Sequence, residues 1–402
     1  MSADDPQPPP ARPPAAPRRP GPAWLRWTGR ACFALLVLEL ALQLVRPTIL
    51  ERVRELTFPV AKRDASYITL QRHNFDGPDH RPMLRLDPEL FWSLIPDQRG
   101  SWFGTDEVVV NDAGLRSPTL GPRAADELRL LFLGDSITFG MGVDASERFS
   151  EVLVDELSRR YPLQRWSLIN AGCVGYSSWQ GVNWLRVHGE ALQVDAIVAC
   201  FGINDVMLRP LTDEAFQQLF DHPQTRLRLG LRELQLVAAA EAGVGLLRRA
   251  LDDEPRALHR YLWYPRQPGG RAPVPREASG RVPASLLASF TQVVPVTLVV
   301  PDSWHGHPSA EVLDPAYAER LDARGRSWVE LVEGPAGPLA TLDDLHLVDL
   351  RGTLSGADDP GPLFDDWCHP SAAGHARYAA ALLDAWEAAG VIERLLAGQA
   401  RR

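Results

Sequence analysis

The sequence predicts an α/β protein built on a central, mostly parallel five-stranded sheet with helices on both faces. Two observations lead there. From residue 128 onward, apolar runs of strand length recur at Leu128–Leu133, Trp166–Ile169, Val194–Phe201, Val293–Val300 and Leu345–Leu350. Segments with helical spacing alternate with them, the pattern of a sheet whose crossovers cover both faces. A third observation sets the frame: 45% apolar and 23% charged residues over 402 positions are ordinary globular values, so wholesale disorder is excluded.

Taken in order, residues 51–125 form an extension with few long periodic segments. Leu90-Phe91-Trp92 and Val108-Val109-Val110 are short strand candidates, and Gly114 after Asn111-Asp112 marks a turn. Leu128–Leu133 runs into Gly134. The stretch Glu147–Arg160 places Phe149, Val152, Leu153 and Leu157 on one helical face. A helix is expected from about Trp179 to Leu192, and Val194–Phe201 ends at Gly202. Residues 206–290 read as a mostly helical insertion, a candidate lid, with a Pro/Gly-rich stretch at 265–283. An alanine-rich helix, Ala372–Ala389, closes the alternating region.

Charge and composition remove several function classes. Lys+Arg total 42 against 51 Asp+Glu, a net charge of −9, and no long basic block exists, so nucleic acid is not an expected partner. The single lysine, Lys62, rules out a Gly-x-x-x-x-Gly-Lys phosphate loop and any later Schiff-base lysine. Cys32, Cys173, Cys200 and Cys368 are too scattered for a disulfide framework.

The first 22 residues hold nine prolines and almost no large apolar side chain, which predicts a disordered tail. Trp24-Leu25-Arg26-Trp27 and the apolar run Ala31–Val45 follow, interrupted by Glu39 and Gln43. The run falls short of the ~20 residues that span a bilayer. Extended over 23–50, with arginines snorkelling and tryptophans at the interface, it is expected to be a single-pass signal-anchor helix. A buried core helix and a cleaved leader are the alternatives; the leader lacks a small-x-small site. Arginines flank the run on both sides, so charge does not set orientation. A short tail before one anchor favours an extracytoplasmic catalytic domain, periplasmic or at the cell surface.

In parallel α/β sheets, ligands sit beyond the carboxyl ends of the strands. Four motifs stand at four such places. Gly134-Asp135-Ser136 could expose a hydroxyl at a strand-to-helix turn, or Asp and Ser could simply cap the helix. Gly175, in Asn170-Ala171-Gly172-Cys173-Val174-Gly175-Tyr176-Ser177, could turn its N–H to a ligand or serve only the turn. Asn204, in Gly202-Ile203-Asn204-Asp205, could donate an amide hydrogen or make an Asx-turn. In Asp366-Trp367-Cys368-His369-Pro370, a carboxylate three residues before a histidine can fix its tautomer and leave the other nitrogen as a base. The competing reading is a metal site on Asp365, Asp366, Cys368, His369 and His375, which lacks a second cluster elsewhere. Each motif alone is weak. Together they supply a nucleophile, two donors, and a base with its orienting acid, a complete acyl-transfer set.

The set Gly134-Asp135-Ser136, Gly175, Gly202-x-Asn204-Asp205 and Asp366-x-x-His369 resembles the GDSL/SGNH hydrolase superfamily over about 126–395. The resemblance implies a flavodoxin-like three-layer sandwich as catalytic domain. It also implies Ser136 as nucleophile, His369 as base and Asp366 as its partner. The Ser136 and Gly175 N–H groups and the Asn204 side chain would form the oxyanion hole. No metal or other cofactor is implied. Asn111-Asp112-Ala113-Gly114-Leu115-Arg116 and Leu38-Glu39-Leu40-Ala41-Leu42 resemble segments of membrane-anchored members.

The function expected is a serine esterase cleaving a small-molecule, glycan or lipid-like carboxylic ester, O-acetyl groups included. One alternative is an O-acyltransferase acting on cell-envelope glycans from the same site. The other is a non-catalytic, membrane-tethered binding domain.

Overall fold

A computed structural model describes residues 28, 31–41, 83–102, 105–209, 212–221, 223, 274–275, 294–312, 316–333 and 344–399. The chain divides into two compact units: Met1–Phe58 with Gly230–Pro255, and Pro59–Leu229 with Arg256–Arg402. In the first, residues 31–41 are helical. Among the described residues no helix is long and apolar enough to cross a membrane. The rest of the expected 23–50 anchor, the proline-rich tail and most of the 206–290 insertion lie outside the described residues.

The second unit opens with two antiparallel hairpins. Strands β1 (Leu84–Asp87) and β2 (Phe91–Leu94) form one, and β3 (Arg99–Trp102) and β4 (Thr105–Val109) form the other. Five parallel strands follow as expected: β5 (Glu127–Gly134), β6 (Arg165–Gly172), β7 (Ala196–Cys200), β8 (Val296–Val300) and β9 (Leu345–Asp349). Their order across the sheet is β9-β8-β7-β5-β6. The chain thus reverses direction of winding between β5 and β7, the switch point where ligands bind in such sheets.

Both faces of the sheet are buried, by separate sets of side chains. Along β5, Leu128, Leu130 and Phe132 enter one core with Leu168, Ala196 and Val198. Leu131 and Leu133 enter the other with Ile169, Ile197 and Val296. Period-2 alternation within an apolar run therefore feeds two cores at once. The first core is covered by α2 (Phe149–Arg160) and α6 (Ala372–Ala388). In α2 the buried Phe149, Leu153 and Leu157 recur every four residues, as their spacing predicts. Its first N–H, of Phe149, is accepted by His375 Nδ1 at 3.2 Å. The second core contains Leu90, Phe91, Trp92 and Leu94 of the extension, packed with Ala171 and Tyr176. The described part of the 51–125 extension is thus part of the domain core.

Some elements differ from expectation. The helix after β6 is α-helical only as α3 (Ser178–Trp184); a π-turn over Leu185–Gly189 and a 3-10 turn over Glu190–Leu192 complete it. Helices α5 (Tyr317–Glu333) and α7 (Val391–Gln399) were not anticipated. Of the insertion, α4 (Asp213–Asp221) is helical as expected.

Two leucines test this core. Leu153 is fully buried and Leu163 is 99% exposed. Leu153→Ala is expected to lower unfolding free energy by about 3 kcal/mol, through lost burial plus a cavity. Leu163→Ala should stay within about 0.5 kcal/mol of the parent in urea unfolding. Equal losses would contradict the assignment.

Candidate active site

The site is built by strand register. Gly134 at the end of β5 pairs with Gly172 of β6 and with Cys200 of β7. The loops after these three strands therefore start side by side. The first begins at Asp135, whose carboxylate caps a one-turn helix, α1 (Ser136–Phe139), by accepting the Ile137 N–H at 2.9 Å. Ser136 is its first residue, so the Ser136 N–H has no carbonyl partner within the helix. Gly140 ends α1 at φ 79°, and a Cβ there would lie 2.3 Å from Arg148 Cγ. Only glycine meets both demands.

Ser136, His369 and Asp366 form a hydrogen-bonded chain. The Ser136 Oγ is 2.8 Å from His369 Nε2, and His369 Nδ1 is 2.6 Å from Asp366 Oδ2. Asp366 is fixed in turn, because its Oδ1 accepts the N–H groups of Cys368 and His369, both at 2.9 Å. The three-residue spacing thus forms a closed turn that aims a carboxylate at the ring. Neighbouring Asp365 faces Gly142 instead.

The other two predicted residues lie beside this chain. Asn204, after β7, donates from Nδ2 to Tyr176 O at 3.0 Å and to Asp135 Oδ2 at 3.3 Å. It therefore touches the residues next to Ser136 and next to Gly175. Gly175, after β6, adopts φ 77°. The following Asp205 is buried and holds the start of α3, accepting Ser178 N–H and Ser178 O–H, each at 2.8 Å.

The electrostatics suit a histidine base. Burial lowers the His369 pKa, but the charge and hydrogen bond of Asp366, then Asp135 and Asp365, outweigh it and raise it above the ordinary value. Burial raises the Asp366 carboxyl, yet His369 and the two backbone N–H groups hold it well below the usual carboxylate range. Asp135 is wholly buried, which pushes its pKa up to about 7 against the Ile137 N–H, His369 and Asn204.

The metal alternative meets a different geometry. Donor atoms of Asp366, Cys368 and His369 do lie within 4.8 Å of one another. Both His369 nitrogens, however, already face Ser136 and Asp366. Burial and Asp366 push the Cys368 thiol far above its usual pKa, so it is a poor thiolate donor. His375 faces the start of α2, and burial with Arg148 draws its pKa down to about 3.

Three participants escaped the sequence. Asp135 looked like a cap and is also the link to Asn204. Arg116 and Arg148, to which the sequence assigned no role, are each 2% exposed. The one available signal was Arg116 at the end of the Asn111–Arg116 segment.

Residues 132–377, more than half of the chain, match the family described as the GDSL-like Lipase/Acylhydrolase family. No curated protein matches the chain. Among solved structures, a variant of Axe2, an acetyl-xylooligosaccharide esterase from Geobacillus, is similar with a TM-score of 0.38 and 20% identity, covering 64% of this chain and 93% of that one. LAE5, an alpha/beta hydrolase enzyme from the metagenome of Lake Arreo in Spain, has a TM-score of 0.36 and 19% identity, covering 66% and 95%. The chain belongs to the GDSL-like lipase/acylhydrolase family of ester-hydrolysing enzymes.

Proposed function

We propose that the protein is a serine esterase that cleaves a carboxylic ester by two acyl transfers through Ser136. The observation that carries this is the unbroken Ser136–His369–Asp366 chain at 2.8 and 2.6 Å. In the first transfer Ser136 Oγ attacks the ester carbonyl carbon as its proton passes to His369 Nε2. The charged ring is favoured by Asp366 on its other side. The tetrahedral intermediate collapses with loss of the alkoxide, which takes the proton from Nε2. Water then repeats the sequence on the acyl-serine, giving the carboxylic acid and free Ser136.

The carbonyl oxygen becomes an anion in each intermediate. The N–H groups of Ser136 and Gly175 are the proposed donors, with Asn204 Nδ2 as the third. Asn204 would exchange its 3.3 Å contact with Asp135 for the oxyanion and keep the shorter one to Tyr176 O. One such donor is typically worth about 3–4 kcal/mol in the transition state. No cofactor enters this sequence. Membership of an enzyme family sets aside the non-catalytic binding domain. A sugar hydroxyl in place of water would make the same site an O-acyltransferase, and a glycan or lipid-like ester remains the proposed substrate class.

We further propose that the N-terminal segment anchors the enzyme in a membrane with the catalytic domain outside. Support comes from residues 31–41, where Phe33, Leu36 and Leu40 are 67%, 56% and 57% exposed on a helix. Such a surface calls for an apolar cover. Extraction of membranes with sodium carbonate should leave the full chain in the pellet and release a chain lacking residues 1–50; release of both would refute the anchor.

Ser136→Ala is expected to abolish hydrolysis of p-nitrophenyl acetate with little change in Tm, because the hydroxyl bonds the His369 ring rather than the backbone that holds the fold. More than a few per cent residual turnover would identify another nucleophile.

The pH dependence follows from the direction of the His369 shift. The base works only when neutral, and its pKa is raised. Activity should therefore climb about tenfold per pH unit at acid pH and level off above the ordinary histidine value of ~6.5. Asp366→Asn removes the charge that raises this pKa, so the inflection should move down and the plateau should fall. The measurement is kcat/KM against pH on a neutral ester at constant ionic strength. An unmoved inflection with an undiminished plateau would remove Asp366 from the mechanism.

A further inference from the structure

The family-matched region begins at residue 132, yet the catalytic turn is held from outside it. Helix α1 is a single turn, too short to be stable by itself. Its carbonyls are secured by side chains. Arg116 Nη1 donates to Phe139 O at 2.9 Å and Gly140 O at 2.6 Å, and Arg116 Nη2 donates to Val143 O at 2.9 Å. The same guanidinium stacks 4.9 Å from the centre of the Phe139 ring. Thr138 O is taken by Asn170 Nδ2 at 2.7 Å.

The preceding segment is shaped to deliver that guanidinium. Asn111 Oδ1 accepts the N–H groups of Ala113 at 3.0 Å and Leu115 at 2.9 Å, closing a tight turn. Gly114 completes it at φ 76°, where a Cβ would stand 3.1 Å from Leu94 O. Arg116 O is then gripped by Arg148 Nη1 at 2.6 Å, and Arg148 pairs with Glu151. Ser117 Oγ donates to Leu168 O and accepts from Asn170 N, at 3.2 and 3.1 Å, locking the segment to β6. Two buried guanidiniums thus lie together, and Glu151 pairs with Arg148. Burial and Arg148 pull the Arg116 pKa down to about 9. Such a costly arrangement contributes little to stability as such.

The first hairpin grips the second loop in the same way. Trp92 Nε1 donates to Val174 O at 2.9 Å, and Tyr176 O–H donates to Trp92 O at 2.8 Å. Gly175 lies between these two anchored residues, and Tyr176 O is the acceptor that holds Asn204. Gln180 Nε2, in α3, donates to Leu90 O at 2.8 Å.

We propose that Arg116 and Trp92, both N-terminal to the family-matched region, are positioning residues: Arg116 fixes the Ser136 turn and Trp92 fixes the Gly175 loop. The extension is then part of the catalytic machinery. This rests on Ser136 as nucleophile, and the test separates the two claims.

The variants are Arg116→Lys, which cannot reach three carbonyls in one plane, and Trp92→Phe, which loses only the indole donor and part of a ring. The probe is diethyl p-nitrophenyl phosphate. Attack by Ser136 Oγ forms an O–P bond, breaks the P–O(aryl) bond and releases one p-nitrophenolate per site, the serine proton leaving through His369. The count of released p-nitrophenolate gives the number of folded sites. Turnover of p-nitrophenyl acetate is then expressed per titrated site. Each variant is expected to reach the parent's stoichiometry more slowly, with kcat per site down by about tenfold or more and KM little changed. Fewer sites with unchanged kcat per site would show a merely structural role and overturn the proposal. If Arg116→Lys does not fold, Trp92→Phe decides by the same criteria. A parent enzyme that is not labelled at Ser136 would refute the nucleophile and the proposal together.

Discussion

The constraint on which the rest depends is the register of three parallel strands. Gly134, Gly172 and Cys200 end their strands at one level, with β5 in the middle. Because the pairing is continuous from Glu127 through Gly134, no loop can shift along the sheet without breaking the ladder. Ser136, Gly175 and Asn204 each follow one of these ends within four residues. Their convergence is a property of the sheet before any side chain acts. The sheet alone, however, sets position only to the level of a loop. Hydrogen bonds from Asp135, Asn204, Arg116 and Trp92 refine it to individual atoms.

The cost of that refinement is charge taken out of water. Asp135 is wholly buried, and Arg116 and Arg148 nearly so. Removing water weakens solvation of each group and strengthens every remaining electrostatic contact. His369 shares that enclosure at 6% exposed, and its carboxylate partner is fixed by the ring and by two backbone N–H groups. The groups that hold the site in place and the groups that would move protons thus share one poorly solvated region.

Much of this was legible in the sequence, and the reasons differ by element. The five strands announced themselves as apolar runs because both sheet faces are covered. The catalytic candidates were legible because each sits directly after a strand or just before the last long helix. Helix α5 was not, since Tyr317–Glu333 carries charged residues through most of its length and buries only a narrow stripe that includes Leu321 and Trp328. Helix α7 was hidden behind Gly390, whose φ of 64° separates it from α6. The roles of Arg116 and Arg148 were invisible for a deeper reason: an arginine reads as solvent-facing unless the backbone carbonyls it will satisfy are known, and those that Arg116 bonds, on Phe139, Gly140 and Val143, lie 23 or more residues away in sequence. Likewise Trp92 marked a strand, while its bond to Val174 spans 82 positions.

The central claim is that the acyl group passes through Ser136 Oγ. It is tested most directly by quenching the enzyme with acid during turnover of p-nitrophenyl acetate and mapping the acetylated peptide by mass spectrometry. The account requires a single acetyl group on Ser136, accumulating within the first turnover and disappearing once substrate is exhausted. Acetyl on Cys173, Cys368 or His369 with none on Ser136, or turnover with no covalent acetyl-enzyme while water oxygen enters acetate in one step, would contradict it.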